Sequence, residues 1–281
     1  MRNLTVLAKW LAGQADVDVE SYTGSTACIY VRDDGRKIIK MPDHWVCATD
    51  PEAVTLIEGV IDHEALGHGR FTDFNAKGLA VSKGLIPGWD GLSSGIFNIL
   101  EDVYIERAAI NVYPGVKQNL AETVKILMAR GFFGSSEGFS KAEPARLLMA
   151  GLLNLLRAHL IPGQGDVFSE NVTTLEKLLP DTFGEIWNKV YGIALEVEYS
   201  TSTDDNIFLT ARIMSELTSA GEDQPKTEAR KAEGAQSSQG AESESESEQG
   251  EGAETESGQG KGAESEQGEG AETESGQGKG A

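Results

Sequence analysis

The sequence predicts an α+β protein: a mainly helical domain over residues 1–220 with a small N-terminal antiparallel sheet, followed by a disordered acidic tail over 221–281. Three observations carry this. Apolar residues recur at helical spacing through most of the chain beyond residue 50. Alternating β-branched stretches are confined to residues 17–42. Residues 222–281 contain no aromatic residue and no Val, Ile, Leu or Met, too little apolar surface to offset the entropy of ordering.

The elements follow in order. "MRNLTVLAKWLAGQA" reads as a first amphipathic helix, because Lys9 interrupts an apolar run too short for an export signal. "VDVESYTGSTACIYVR" and "RKIIKMP", separated by the turn "DDG", give two or three antiparallel strands. Asp50 caps a helix that Pro51 opens, and "PEAVTLIEGVIDHEALGH" carries Val54, Ile57, Ile61 and Ala65 on one stripe. A Gly-rich loop, "KGLIPGWDGLSSG", precedes the helices "IFNILEDVYIERAAI", "VKQNLAETVKILMARG" and "EPARLLMAGLLNLLRAHL". Further helix is expected in 173–196 and 204–219. In the tail, "EGAETESGQGKGA" stands at 251–263 and again at 269–281. With no apolar face to stack, this unit is a solvated linker rather than a solenoid repeat, and a linker implies a further domain beyond it.

Charge and composition exclude several classes. The net charge is −21, and the tail contributes 16 acids against 5 bases. Such a balance argues against binding nucleic-acid phosphates or anionic membranes. No run of about 18 apolar residues exists to span a bilayer. Two cysteines, Cys28 and Cys47, without zinc-motif spacing suggest reduced core thiols and a cytoplasmic setting.

The chemistry concentrates in "IDHEALGHGRFTDF", residues 61–74. A zinc hydrolase typically binds its ion through three protein ligands and keeps one position open. In His-Glu-x-x-His the two imidazoles share a helix face, whereas His63 and His68 are five apart, about 140° around an ideal helix. A π-bulge would restore a common face, and Gly67 would ease it by its backbone freedom. Glu64, beside the first histidine, is then placed as general base. The third ligand is expected from "NILEDVYIER", which offers Glu101, Asp102 and Glu106. Asp102 and Glu106, four apart, share a face, so one could bind metal while the other holds a histidine. Glu101 stays a candidate through its longer side chain. A cluster of acids on an otherwise apolar helix calls for a compensating cation.

His63-Glu64-Ala65-Leu66-Gly67-His68 followed by Glu101-Asp102-Val103-Tyr104-Ile105-Glu106 resembles the paired zinc motifs of dipeptidyl peptidase III, His-Glu-x-x-Gly-His and Glu-Glu-x-x-x-Glu. The resemblance covers about a dozen residues. It implies a zincin-like, zinc-dependent peptidase domain acting on a peptide or protein substrate. His63 and His68 would be ligands and Glu64 the water-activating base. The family's ligand position falls on Asp102, a shorter acid, so Glu101 and Asp102 both remain open. A helix ending in "HGRFTDF", an "NILEDVYIE" helix and a long acidic linker are together similar to phage and bacterial CobT-type cobaltochelatase subunits of cobalamin biosynthesis. That resemblance implies an alternative: a non-enzymatic adaptor with a structural metal, working with an AAA+ ATPase or through a von Willebrand A domain. No Asp-x-Ser-x-Ser metal motif of such a domain occurs in this sequence.

Plainer readings stand beside these. His63 could face solvent, with His68 capping a helix end near Gly69. Asp73 either orients His68 or caps the next segment. His159 reads as a helix C-terminal residue, and Tyr104, Tyr113 and "LLMAGLLNLLRAHL" read as core. "RKIIKMP" is either an edge that pairs an extended peptide or an edge guarded by its basic residues.

Overall fold

A computed structural model describes residues 2–14, 16–47, 50–86 and 91–222. The predicted acidic tail lies outside these residues beyond Glu222, as does the centre of the predicted Gly-rich loop.

The chain opens with helix α1 (Arg2–Ala12), whose Ala8, Leu11 and Ala12 are buried. Strands β1 (Val17–Tyr22), β2 (Cys28–Val31) and β3 (Lys37–Pro42) follow. The sheet is mixed rather than antiparallel. β2 and β3 form the expected hairpin, with Ile29 opposite Ile39, and Gly35 supplies the positive φ of 82° that its turn requires. β1, however, lies on the other side of β3 and runs parallel to it. The reason is burial. Ile38, Ile39 and Met41 of β3 are fully buried, which places β3 in the centre of the sheet. α1 holds β1 alongside, where Thr5 accepts the Val19 N–H. "RKIIKMP" is therefore paired on both sides, and β1 and β2 are the edge strands.

A short helix α2 (Asp43–Val46) leads to α3 (Pro51–Ile61), capped as predicted by Asp50, whose side chain accepts from the Ala53 N–H. α3 runs straight into a π-helix, Asp62–His68, and on through the single turn α4 (Gly69–Phe71). Then come α5 (Phe74–Ser82), α6 (Gly91–Val112), α7 (Val116–Ala129), α8 (Ser136–Phe139) and α9 (Pro144–Leu160). The sequence "GLSSG", expected as loop, is the first turn of α6. α10 (Gly165–Phe183), α11 (Glu185–Leu195), a 3-10 turn (Glu196–Tyr199) and α12 (Thr203–Glu222) complete the domain.

α6 is the axis of the molecule. It packs against the π-helix on one side and against α9 and α12 on others, and Ile96, Leu100, Val103 and Ile105 are fully buried along it. Gly67 matters here, though not as expected: it has no left-handed backbone, and a Cβ there would meet Ile105 Cδ1 at 3.0 Å. The glycine allows the π-helix to approach α6. Cys28 and Cys47 are free and exposed rather than core thiols. No helix among the described residues is long and apolar enough to cross a membrane.

Candidate metal centre

In an α-helix residues five apart diverge, but i→i+5 bonding stacks them. The Gly69 N–H bonds back to the Glu64 carbonyl, and the rings of His63 and His68 come to 5.0 Å between centroids. The predicted bulge thus spans a full seven-residue segment.

Each imidazole is held from behind. His63 Nδ1 lies 2.9 Å from Glu106 Oε1. Glu106 is acceptor-only as a carboxylate, so Nδ1 donates and Nε2 is the nitrogen turned towards Asp102. His68 Nδ1 lies 2.9 Å from Thr72 Oγ1. The Thr72 hydroxyl spends its own proton on Glu101 Oε1 at 2.8 Å, so here too Nδ1 donates and Nε2 is left free. Both Nε2 nitrogens face one atom: Asp102 Oδ1 is 3.7 Å from His63 Nε2 and 3.3 Å from His68 Nε2. Donor atoms of His63, His68 and Asp102 all fall within 4.8 Å of one another.

The acids on α6 divide their work. Glu101 is 1 % exposed and turned away from the imidazole nitrogens. Thr72 and Thr203 donate to its Oε1, and Asn206 to its Oε2 at 2.7 Å. With its oxygens engaged by three neutral donors it stands outside the His63–His68–Asp102 group. Glu106 takes two hydrogen bonds from Arg157, at 2.8 and 3.0 Å, and one from Gln164. Asp73 also stands outside that group. It caps α5, accepting from the Asn75 and Ala76 N–H groups, because the chain leaves its helix at Thr72 and puts the Thr72 hydroxyl, not Asp73, against His68.

Electrostatics follow from burial and these neighbours. Burial disfavours the charged form of His63, yet Asp102, the Glu106 hydrogen bond and Glu64 outweigh it and raise its pKa to about 9. Burial works against ionised Asp102 too, but His63, His68 and Arg157 hold its carboxyl down at about 2. Glu64, 6 % exposed, is shifted the other way. Burial raises its pKa, and the histidines and the Ile29 N–H of β2 only partly offset this. A carboxylate shifted upward is a better proton acceptor near neutrality.

Several supporting residues escaped the sequence reading. Arg157, Gln164, Thr72, Thr203 and Asn206 are all buried. Arg157 had a signal, a cation in the last turn of the apolar helix "LLMAGLLNLLRAHL"; the others look ordinary in sequence. Tyr104 donates to the Thr201 carbonyl, and Tyr113 packs on Trp10. His159 is exposed at the end of α9, 2.6 Å from the Tyr191 hydroxyl.

A cleft of about 300 Å³ opens beside the centre. His63, Glu64, Asp102 and Arg157 line it, together with Thr26 and Ala27, just before the edge strand β2. Comparison with models of known protein families, with curated proteins and with solved structures found no match to this chain.

Proposed function

We propose that this domain is a zinc-dependent metallopeptidase, with His63, His68 and Asp102 as ligands and Glu64 as general base. The observation that carries the reading is the convergence of two imidazole Nε2 atoms on Asp102 Oδ1, each imidazole oriented by a buried partner. Two nitrogens and one carboxylate oxygen form a donor set that suits zinc, and three protein ligands are what a catalytic rather than a closed structural site uses. Charge supports a cation: Asp102 and Glu106 share one guanidinium, Arg157, and Glu64 adds a third carboxylate to the same cleft.

A zinc ion held there would supply Lewis acidity, polarising a peptide carbonyl and acidifying water. The chain's own residues do the remainder. Glu64 takes the proton of the attacking water and delivers it to the leaving amine. Glu106 and Thr72 keep both histidines in the Nδ1–H tautomer. β2, an edge strand, offers an extended peptide the backbone groups that remain beside the Ile29 N–H held by Glu64. Glu101, with its hydroxyl and amide donors, fixes Thr72 and so His68.

The test is metal analysis with a cleavage assay on a mixed peptide library. Wild-type protein should carry about one zinc per chain, and His63→Ala or Asp102→Ala should lose it. Glu64→Gln should keep the metal and lose cleavage by about 100-fold or more. Zinc retained in His63→Ala would remove the site as drawn. Zinc bound by a wild type that cleaves no peptide would favour a structural metal in an adaptor.

A further inference from the structure

The cleft beside the centre is of mixed character. Its lining combines the polar His63, Glu64 and Asp102 with the apolar Val60, Ile99, Leu120, Val124, Leu127 and Phe133. Arg157 also lines it, with its two terminal nitrogens taken by Glu106, Gln164 and Asp102 and its buried Nε without a hydrogen-bond partner. Among the described residues that line the cleft, Arg157 is already ion-paired with Glu106 and Asp102, so the cleft offers an acidic group no free positive charge.

One wall is unusual. In "GFFG", residues 131–134, both glycines have positive φ, 76° and 81°, so the loop turns sharply at each end of two phenylalanines. Phe133 is buried. Its carbonyl accepts from Asn154 Nδ2 at 3.2 Å, and its ring meets the fully buried Phe168 edge-on at 5.1 Å. Phe132 is left 58 % exposed at the cleft. The loop thus anchors one ring in the core and holds the next in water, at the rim of an apolar recess contiguous with the candidate general base. An exposed aromatic ring is unfavourable by itself and gains by being covered.

We propose that this cleft is a specificity pocket for a bulky uncharged apolar side chain, of the phenylalanine, leucine or methionine class, carried by the residue next to the cleaved bond, with Phe132 as its outer wall. The proposal rests on the peptidase reading for the identity of its occupant. Size agrees: an apolar cavity of about 150 Å³ accepts benzene, so about 300 Å³ holds a phenylalanyl side chain with room to enter. An acidic side chain would be repelled by Glu64, Asp102 and Glu106, which share the lining.

The experiment uses the full chain, stripped of metal so that binding is read apart from catalysis. Ligand-detected NMR titrations compare N-acetyl-phenylalaninamide, N-acetyl-alaninamide and the corresponding glutamate amide. The phenylalanine probe should bind roughly tenfold or more tightly than the alanine probe, with the glutamate probe weakest. Phe132→Ala, at an exposed position, should keep the melting temperature and weaken the phenylalanine probe roughly three- to tenfold, leaving the alanine probe unchanged. Leu127→Trp, which narrows the recess, should abolish the preference. Equal binding of the phenylalanine and alanine probes, or a preference that survives both substitutions, overturns the assignment. Cleavage of library peptides regardless of flanking side chain overturns it too, while sparing the hydrolase reading. A probe preference of the expected form in a protein that cleaves nothing supports the pocket and removes the hydrolase reading.

Discussion

Glu101 and Asp102 are neighbours in sequence and do unlike work. One helical step of about 100° sends Glu101 towards Thr72, Thr203 and Asn206 and Asp102 towards the two imidazoles. Their substitutions should therefore separate. Glu101→Gln sets an amide N–H₂ against groups that already donate, a loss of about 1–3 kcal/mol in denaturant unfolding, while metal stoichiometry stays near wild type. Asp102→Asn should lower zinc content, together with an apoprotein stability loss from its contacts with His63, His68 and Arg157. Equal metal loss in the two would return Glu101 to the ligand set. Arg157 is the other telling residue. Its partner Glu106 is 2 % exposed, so Arg157→Met strands a buried charge. The expected cost is about 3–5 kcal/mol, and Glu106→Gln added to it should restore part of the loss. Additive losses in that double-mutant cycle would mean that the pair is not coupled.

At the scale of elements, two helix ends govern the centre. The first is the π-helix, where the added residue per turn brings His68 over His63. The second is the start of α12. Ser202 accepts the Asp205 N–H, and Asp205 accepts the Ser202 and Thr201 N–H groups in return, a reciprocal cap that fixes Thr203 and Asn206 against Glu101. Ser202→Ala should cost about 0.5–2 kcal/mol and loosen that contact, visible as faster amide exchange at the head of α12. The backbone hydrogen bond from Thr201 holds the Asp205 carboxyl below its ordinary value, with burial opposing. A depressed carboxylate stabilises above its unfolded pKa, about 3.9, and that contribution is lost as pH falls through the lower folded value. Wild type should thus outlast Asp205→Asn in thermal melts near neutrality, with the gap closing as pH falls below the ordinary carboxylate range. A gap independent of pH would show that the charge contributes nothing.

At the scale of the whole molecule, the centre ties distant parts of the chain together. α3 and the π-helix bring the histidines, α6 the acids, α9 the arginine and α12 the polar clasp on Glu101. An ion bound by the folded but not the unfolded chain should stabilise all of them at once, by about 2.7 kcal/mol at a hundredfold excess over Kd. For a domain of this size that corresponds to a melting shift of roughly 5–10 °C between zinc-saturated and EDTA-treated protein, absent in Asp102→Ala. A shift of the same size in Asp102→Ala would place the metal elsewhere.

The primary sequence by itself determined the helical segments, the Asp50–Pro51 helix start and the grouping of His63, Glu64, His68 and the 101–106 acids, because helical periodicity and local caps are encoded within a few residues. It also held the mismatch of one residue between the histidines, which only a bulge resolves. Tertiary structure decided what depends on distant neighbours. β3 takes the centre of the sheet because its side chains are buried, a fact its alternation does not show. Thr72 rather than Asp73 meets His68 because the chain leaves its helix at that point. Asp102 rather than Glu101 faces the histidines because Thr203 and Asn206, about a hundred residues further on, claim Glu101's oxygens. Hydrogen-bond partners across such separations leave no periodic trace in a chain, so they become legible only once it has folded.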